Sequence, residues 1–346
     1  MVILVTERWH SKASHDHQDD QFRKVHLEAV PRIGGLAVIS GMLATTLAYR
    51  EYMSGYAMAV LLCGLPAFMA GFQEDITKAV GPMMRLAATL LSGALAWSFI
   101  DVKVTATALP LVDWLLAVPA ISLIFTAFAI AGVAHGLNLI DGFHGLSGVS
   151  ALIMLALLAA LAQQVGDPLI QNICMVGFSA TLGFVIFNWP TGRLFLGDGG
   201  AYFVGYWIAC AAVLLVVRNP GEVSPFAAAL VCWLPTMEVV FSSLRRLGCA
   251  GRAITHADRA HLHHLIYHRL ARRFFRGNRA AAQASVVFYY APFWAVLSAA
   301  VLLDPKEHWP SVWALVALTL LYLWSYRRLA RHAMTPERPL YIASRS

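Results

Sequence analysis

The sequence predicts an all-α, polytopic membrane protein with about ten transmembrane helices, and three observations carry that prediction. Of 346 residues, 59% are hydrophobic and only 13% charged, with a mean hydropathy of +0.63; soluble domains carry about a quarter charged residues. The apolar residues gather into runs close to the ~20 residues that a helix needs to cross a bilayer, too long for barrel strands. The breaks between runs carry Gly, Pro or charge, which punctuate helices.

In chain order the runs are 33–49, 55–72, 86–100, 114–134, 145–165, 169–187, 200–217, 223–244, 286–303 and 309–326. Arg50 and Glu51 end the first; Lys78 and Gly81-Pro82 separate the second from the third. Asp101 and Lys103, then Pro110 and Asp113, precede the fourth. The later breaks are 135–144, Gly166-Asp167-Pro168, 188–199, Arg218 to Gly221, the Arg-rich 245–279 and Asp304-Pro305-Lys306. No internal repeat or low-complexity tract is visible. The expected organisation is a cytoplasmic N-terminal segment 1–32, a single transmembrane catalytic domain 33–326 with a cytoplasmic loop 245–285, and a basic cytoplasmic tail 327–346.

Charge sets the orientation. With residues 1–32 cytoplasmic and each run crossing once, 22 of the 26 Lys and Arg residues lie on the cytoplasmic side, leaving Arg50, Lys103, Arg218 and Lys306 opposite. Positive loops mark the cytoplasmic side. The net charge of +7 is therefore read as loop and lipid contact, not as nucleic-acid binding. MVILV is too short for the apolar region of a cleavable signal, and Glu7, Arg8 and His10 follow at once. Cys63, Cys174, Cys210, Cys232 and Cys249 are far apart. They suggest neither a disulfide framework nor a CxxC metal site.

That topology places four polar clusters at one membrane face: GFQEDITK (71–78), HGLNLIDGFHGL (135–146), FNWPTGRLFLGDGG (187–200) and GRAITHADRAHLHHL (251–265). RKVHLEAVPRIGG (23–35) joins them. Adjacent Glu74 and Asp75 suit magnesium binding or proton abstraction, though alone they read as a solvated helix end with Lys78. Asn138 and Asp141 offer hard oxygen ligands in a turn where Asn, Asp and Gly are also at home without any ligand. Asp198 stands alone between glycines, with Arg193 nearby as an anion-binding candidate. His261, His263 and His264 sit in a loop with nine arginines. Two of them are adjacent and no cysteine is close in the motif, so phosphate contact is favoured over zinc, against a plain lipid-binding loop. Glu238 lies inside a run, a functional candidate ranked below the others because it sits near the cytoplasmic end.

Taken together and in order, the clusters resemble the polyprenyl-phosphate N-acetylhexosamine-1-phosphate transferases, over the chain from Arg23 to about Arg269. RKVHLEAVPRIGG is similar to that family's RKxH…PRxGG opening. GFQEDITKAVGPMMRL is similar to its acidic pair, with Glu74 in place of an aspartate. HGLNLIDGFHGL resembles NxxNxxDGxDGL, with His135 and His144 departing from it, and FNWPTGRLFLGDGGAY is similar to the segment that carries the family's metal-binding aspartate, here Asp198. GRAITHADRAHLHHL resembles GR…PDRxHLHH. The EDxTK form and the HLHH loop look closer to the O-antigen-initiating branch than to the peptidoglycan enzyme.

The resemblance implies attack by undecaprenyl phosphate on the β-phosphate of a UDP-N-acetylhexosamine, with release of UMP, at the bacterial inner membrane and with the site facing the cytoplasm. It implies Mg²⁺, with Mn²⁺ as a substitute, held by Asp198 and Asn138. Asp75, helped by Glu74, would activate the lipid phosphate. Lys24, Asp141, Arg193, Arg252, His261, His263 and His264 would hold the substrates. Membrane lipid is the surrounding partner, and a homodimer is left open. The rival class is a transporter or flippase of lipid-linked diphosphates, which calls for polar groups at mid-membrane depth and broken helices there.

Overall fold

The computed structural model describes residues 30–49, 55–247 and 261–331. Lys24 and Arg252, together with Cys249 and nearly all of the N-terminal segment and the tail, lie outside the described residues. Within them the chain is helical. The elements are α1 (Gly34–Ala48), α2 (Tyr56–Cys63), α3 (Leu65–Thr77), α4 (Pro82–Phe99), α5 (Pro110–Leu116), α6 (Pro119–Leu139), α7 (Leu146–Gln164) and α8 (Pro168–Asn188). Then come α9 (Gly197–Arg218), α10 (Pro225–Val231), α11 (Trp233–Leu247), α12 (Leu262–Ile266), α13 (Arg279–Ser285), α14 (Ala291–Leu303) and α15 (His308–Arg331). A π turn, Tyr267–Ala271, extends α12, and a 3-10 turn, Val286–Tyr290, joins α13 to α14.

Among the described residues, six spans are long and apolar enough to cross a membrane: α6, α7, α8, α9, the run Arg279–Leu303, and α15. Two more arise if α2 with α3, bent by 44°, and α10 with α11, bent by 76°, each count as one. The two other expected runs, 33–49 and 86–100, appear as the 15-residue α1 and the 18-residue α4. The bends follow from proline. Pro66 and Pro235 lack the N–H that would bond back four residues, and their rings crowd that carbonyl.

Helix α9 is the axis of the bundle: 83% of its apolar window is buried, as befits a helix apolar all round. It packs on α6, α3, α1 and α7. Its N-terminal half, GDGGAYFVG, is rich in small residues, and the neighbours use them to come close. A Cβ on Gly71 of α3 would lie 2.5 Å from Gly199 N, and one on Gly35 of α1 would lie 2.3 Å from Gly200 Cα. Ala134 of α6 meets Gly205 the same way, 2.6 Å from where a Cβ would stand. Three helices thus converge on the end of α9 that carries Asp198.

Candidate active site

The segment PRIGG begins the site. Pro31 O accepts from Phe195 N at 2.9 Å, while Gly34 N and Gly35 N donate to Phe195 O and Leu196 O at 2.9 and 2.8 Å. This short backbone pairing lays residues 31–35 along the loop before α9. Gly197 closes that loop with φ +76°, where a side chain would meet Arg32 O at 2.0 Å; only glycine fits such a position.

Asp75 sits in the last turn of α3 and is 3% exposed. Its two carboxylate oxygens accept from Asp198 N at 2.9 Å and Gly199 N at 3.0 Å. These are free donors of the first turn of α9, where a negative charge is favoured. Asp75 therefore fixes the start of α9 and the placement of Asp198. Glu74 accepts from Val80 N at 2.8 Å, closing the turn from α3 to α4.

The Asp198 side chain is 20% exposed. It forms an ion pair with Arg85 of α4 and accepts from Asn138 Nδ2 of α6 at 3.0 Å. One turn back, His135 lies 3.1 Å from the Thr89 hydroxyl of α4 and 4.6 Å, ring to ring, from Tyr202 of α9.

Asp141 follows α6. It accepts from the Ser147 hydroxyl, and Arg32 and the Gly197 backbone face it. Burial nonetheless pushes its carboxyl up to about 6. Asn188 ties this loop to the next: its Oδ1 accepts from Gly145 N and its Nδ2 donates to Leu194 O, both at 2.7 Å. His144 Nδ1 stands 2.9 Å from Pro190 O. Arg193 is exposed on the second loop.

Of the expected site residues, Asp75, Asn138, Asp141 and Asp198 thus meet at one end of the bundle, with Glu74 on the adjoining turn. His261 and His263 are placed against Glu238 of α11, with their Nδ1 atoms 3.3 and 3.8 Å from its carboxylate. His264 packs on Phe143 of the Asp141 loop, 5.2 Å between rings. Burial, then neighbouring histidines, hold His264 down to about 2, so it is neutral near pH 7 and can offer a phosphate a hydrogen bond but no charge. Arg85 was not singled out in the sequence. The signal was available as an arginine on an otherwise apolar helix beside the acidic pair.

Among the described residues, no three His, Cys, Asp or Glu side chains are grouped to hold a metal. The donors at Asp198 are one carboxylate and one amide. Mg²⁺ commonly takes one or two carboxylates and completes its shell with substrate phosphate and water. The residues present fit that sparse mode provided the Asn138 amide, whose Nδ2 here donates to Asp198, turns over to offer its oxygen.

The profile of glycosyl transferase family 4 matches residues 57–216, a stretch holding Glu74, Asp75, Arg85, Asn138, Asp141 and Asp198. Over 247 residues the chain is 28% identical to the "Probable undecaprenyl-phosphate N-acetylglucosaminyl 1-phosphate transferase" of Bacillus subtilis (strain 168), covering 70% of this chain and 67% of the relative. It is 24% identical over 332 residues to the undecaprenyl-phosphate alpha-N-acetylglucosaminyl 1-phosphate transferase of Escherichia coli (strain K12), covering 92% and 84%. The decaprenyl-phosphate N-acetylglucosaminephosphotransferase of Mycobacterium leprae is 26% identical over 278 residues, covering 70% and 67%.

Proposed function

Because the chain belongs to glycosyl transferase family 4, among the polyprenyl-phosphate N-acetylhexosamine-1-phosphate transferases, we propose that it moves an N-acetylhexosamine 1-phosphate from a UDP-sugar to undecaprenyl phosphate. An oxygen of the lipid phosphate attacks the β-phosphorus. The bond from that phosphorus to the bridging oxygen breaks, and UMP leaves with the oxygen.

The observation that carries this reading is the convergence of Asp75, Arg85, Asn138 and Asp198 from four helices on the first turn of α9. Both reactants are anionic, so a site for them needs positive charge at the transferred phosphate. Arg85 supplies a fixed cation. Bound Mg²⁺ would add Lewis-acid charge on the diphosphate, held by Asp198 and Asn138. Asp75 keeps Asp198 aimed by holding the backbone on either side of its Cα. A phosphate monoester has its second pKa near about 6 and is largely a dianion at neutral pH. Positioning therefore outweighs proton removal, and Asp75 acts chiefly on geometry, with Glu74 supporting its turn. Asp141, Arg193, the HLHH motif as a unit, Lys24 and Arg252 are assigned to the substrates.

The excess of Lys and Arg supports a cytoplasmic active site at the bacterial inner membrane, where UDP-sugars are found. The EDxTK and HLHH forms support initiation of a surface glycan of the O-antigen type. Purified enzyme with undecaprenyl phosphate and a panel of UDP-sugars tests this. UMP should appear with a UDP-N-acetylhexosamine and only when the lipid is present; UMP from none of the panel, or without the lipid, contradicts the proposal.

A further inference from the structure

The histidines of HLHH do not face the same way. His261 and His263 are 5% and 1% exposed, whereas His264 is half-buried. Both buried rings turn their Nδ1 atoms to Glu238, which is itself fully buried. The two rings stack within 4° of parallel, 5.4 Å apart. Tyr290 and Tyr322 line the same buried space, their hydroxyls without a hydrogen-bond partner.

A buried carboxylate is costly unless polar hydrogens face it. An imidazole lone pair turned to it would only add repulsion. A proton on His261 Nδ1, 3.3 Å from the carboxylate, satisfies it and sets that ring's orientation, while His263 Nδ1 faces the other oxygen at 3.8 Å and is held by its stacking on His261. His263 in turn lies 4.6 Å, ring to ring, from His264. Phe143 closes on both, 5.6 Å from His263 and 5.2 Å from His264, and Phe143 is two residues from Asp141. His264 is thus clamped between a buried histidine and the loop that reaches the Asp198 site.

We infer that Glu238 is a positioning residue, fixing His264 through His261 and His263 as the one member of HLHH that contacts the nucleotide part of the substrate. This rests on the transferase reading above and divides the motif into a contact and its buried support.

A double-mutant cycle read as UMP affinity tests it. His264→Ala and Glu238→Gln should each weaken UMP binding, by about three- to tenfold, and the double variant should be no worse than His264→Ala alone. A merely structural Glu238 would add its full effect to that of His264→Ala, and this would overturn the inference. Glu238→Asp keeps the charge and should recover part of the affinity; it also carries the same cycle if Glu238→Gln does not fold. Wild-type protein that binds UMP but shows an additive cycle removes this inference alone. Wild-type protein that neither binds UMP nor releases it from any UDP-sugar removes the transferase reading, and this inference with it.

Discussion

Asp198 and Asp75 are both carboxylates, yet the fold gives them different work. Asp198 faces Arg85 and Asn138 at a partly open position, while Asp75 is spent on two backbone donors. Asp75→Asn would turn one acceptor into an NH₂ facing an N–H, an unmet buried pair costing about 1–3 kcal/mol. Glu74→Gln keeps its single acceptor at Val80 and should stay within about 0.5 kcal/mol of wild type. Thermal unfolding and UMP release should therefore both fall in Asp75→Asn and hardly change in Glu74→Gln; equal, mild losses would reduce the pair to a solvated helix end. Asp141 gives a pH-dependent signature. Its folded pKa, about 6, exceeds the roughly 3.9 of a free Asp. The stability this lends is full below the free value and is lost as pH rises through about 6. Asp141→Asn, neutral throughout, should gain in melting temperature over wild type between pH 5 and pH 7.5; an unchanging difference would show that the carboxyl is not raised. Asp198 was legible because LGDGG isolates one acid between glycines. Glu238 was visible as an ionisable residue in an apolar run, but the histidines that face it, His261 and His263, lie more than twenty residues on, which spacing along one helix cannot reveal.

At the scale of the element, the close crossings of α9 decide whether the site forms. In Gly71→Ala the new methyl would meet backbone atoms of Asp198 and Gly199 at 2.5–2.6 Å, so α3 and α9 must part. Overpacking of this kind costs about 1–3 kcal/mol and moves Asp75 off the start of α9. Gly132→Ala, with nothing within 4 Å of its Cβ, is the control and should be neutral or slightly stabilising in its helix. Comparable melting temperatures and activities for the two variants would contradict the close crossing. The apolar runs were legible because each spans a bilayer's thickness. The breaks inside 55–72 and 223–244 were not read, although Pro66 and Pro235 sit where the helices bend. A proline in a long apolar run is tolerated in many spans, so it does not announce a bend by itself.

At the scale of the molecule, the site occupies the N-terminal end of α9, and the Asp167–Arg218 ion pair and the Lys306–Glu222 pair occupy the opposite end. The asymmetry of Lys and Arg supports the proposed orientation of that axis, with the site inward. Cysteines placed at Glu222 and Arg276, both exposed, should behave oppositely in intact cells: Glu222→Cys labelled from outside by an impermeant thiol reagent, Arg276→Cys only after permeabilisation. The reverse pattern would turn the site outward. Order along the chain revealed that the motifs belong together. It did not reveal that PRIGG pairs with the loop before α9, because that pairing joins backbone groups some 160 residues apart.

The central claim is that the β-phosphate travels with the sugar to the lipid. UDP-N-acetylhexosamine labelled in its β-phosphate, incubated with undecaprenyl phosphate and purified enzyme, tests it in one partition between water and solvent. The label should enter the lipid phase with one UMP released per labelled lipid, and Asp198→Asn should slow this by at least about a hundredfold while remaining folded. Label that stays in water as UDP while the sugar reaches the lipid, or a lipid phase that gains no label from active wild-type protein, would contradict the account.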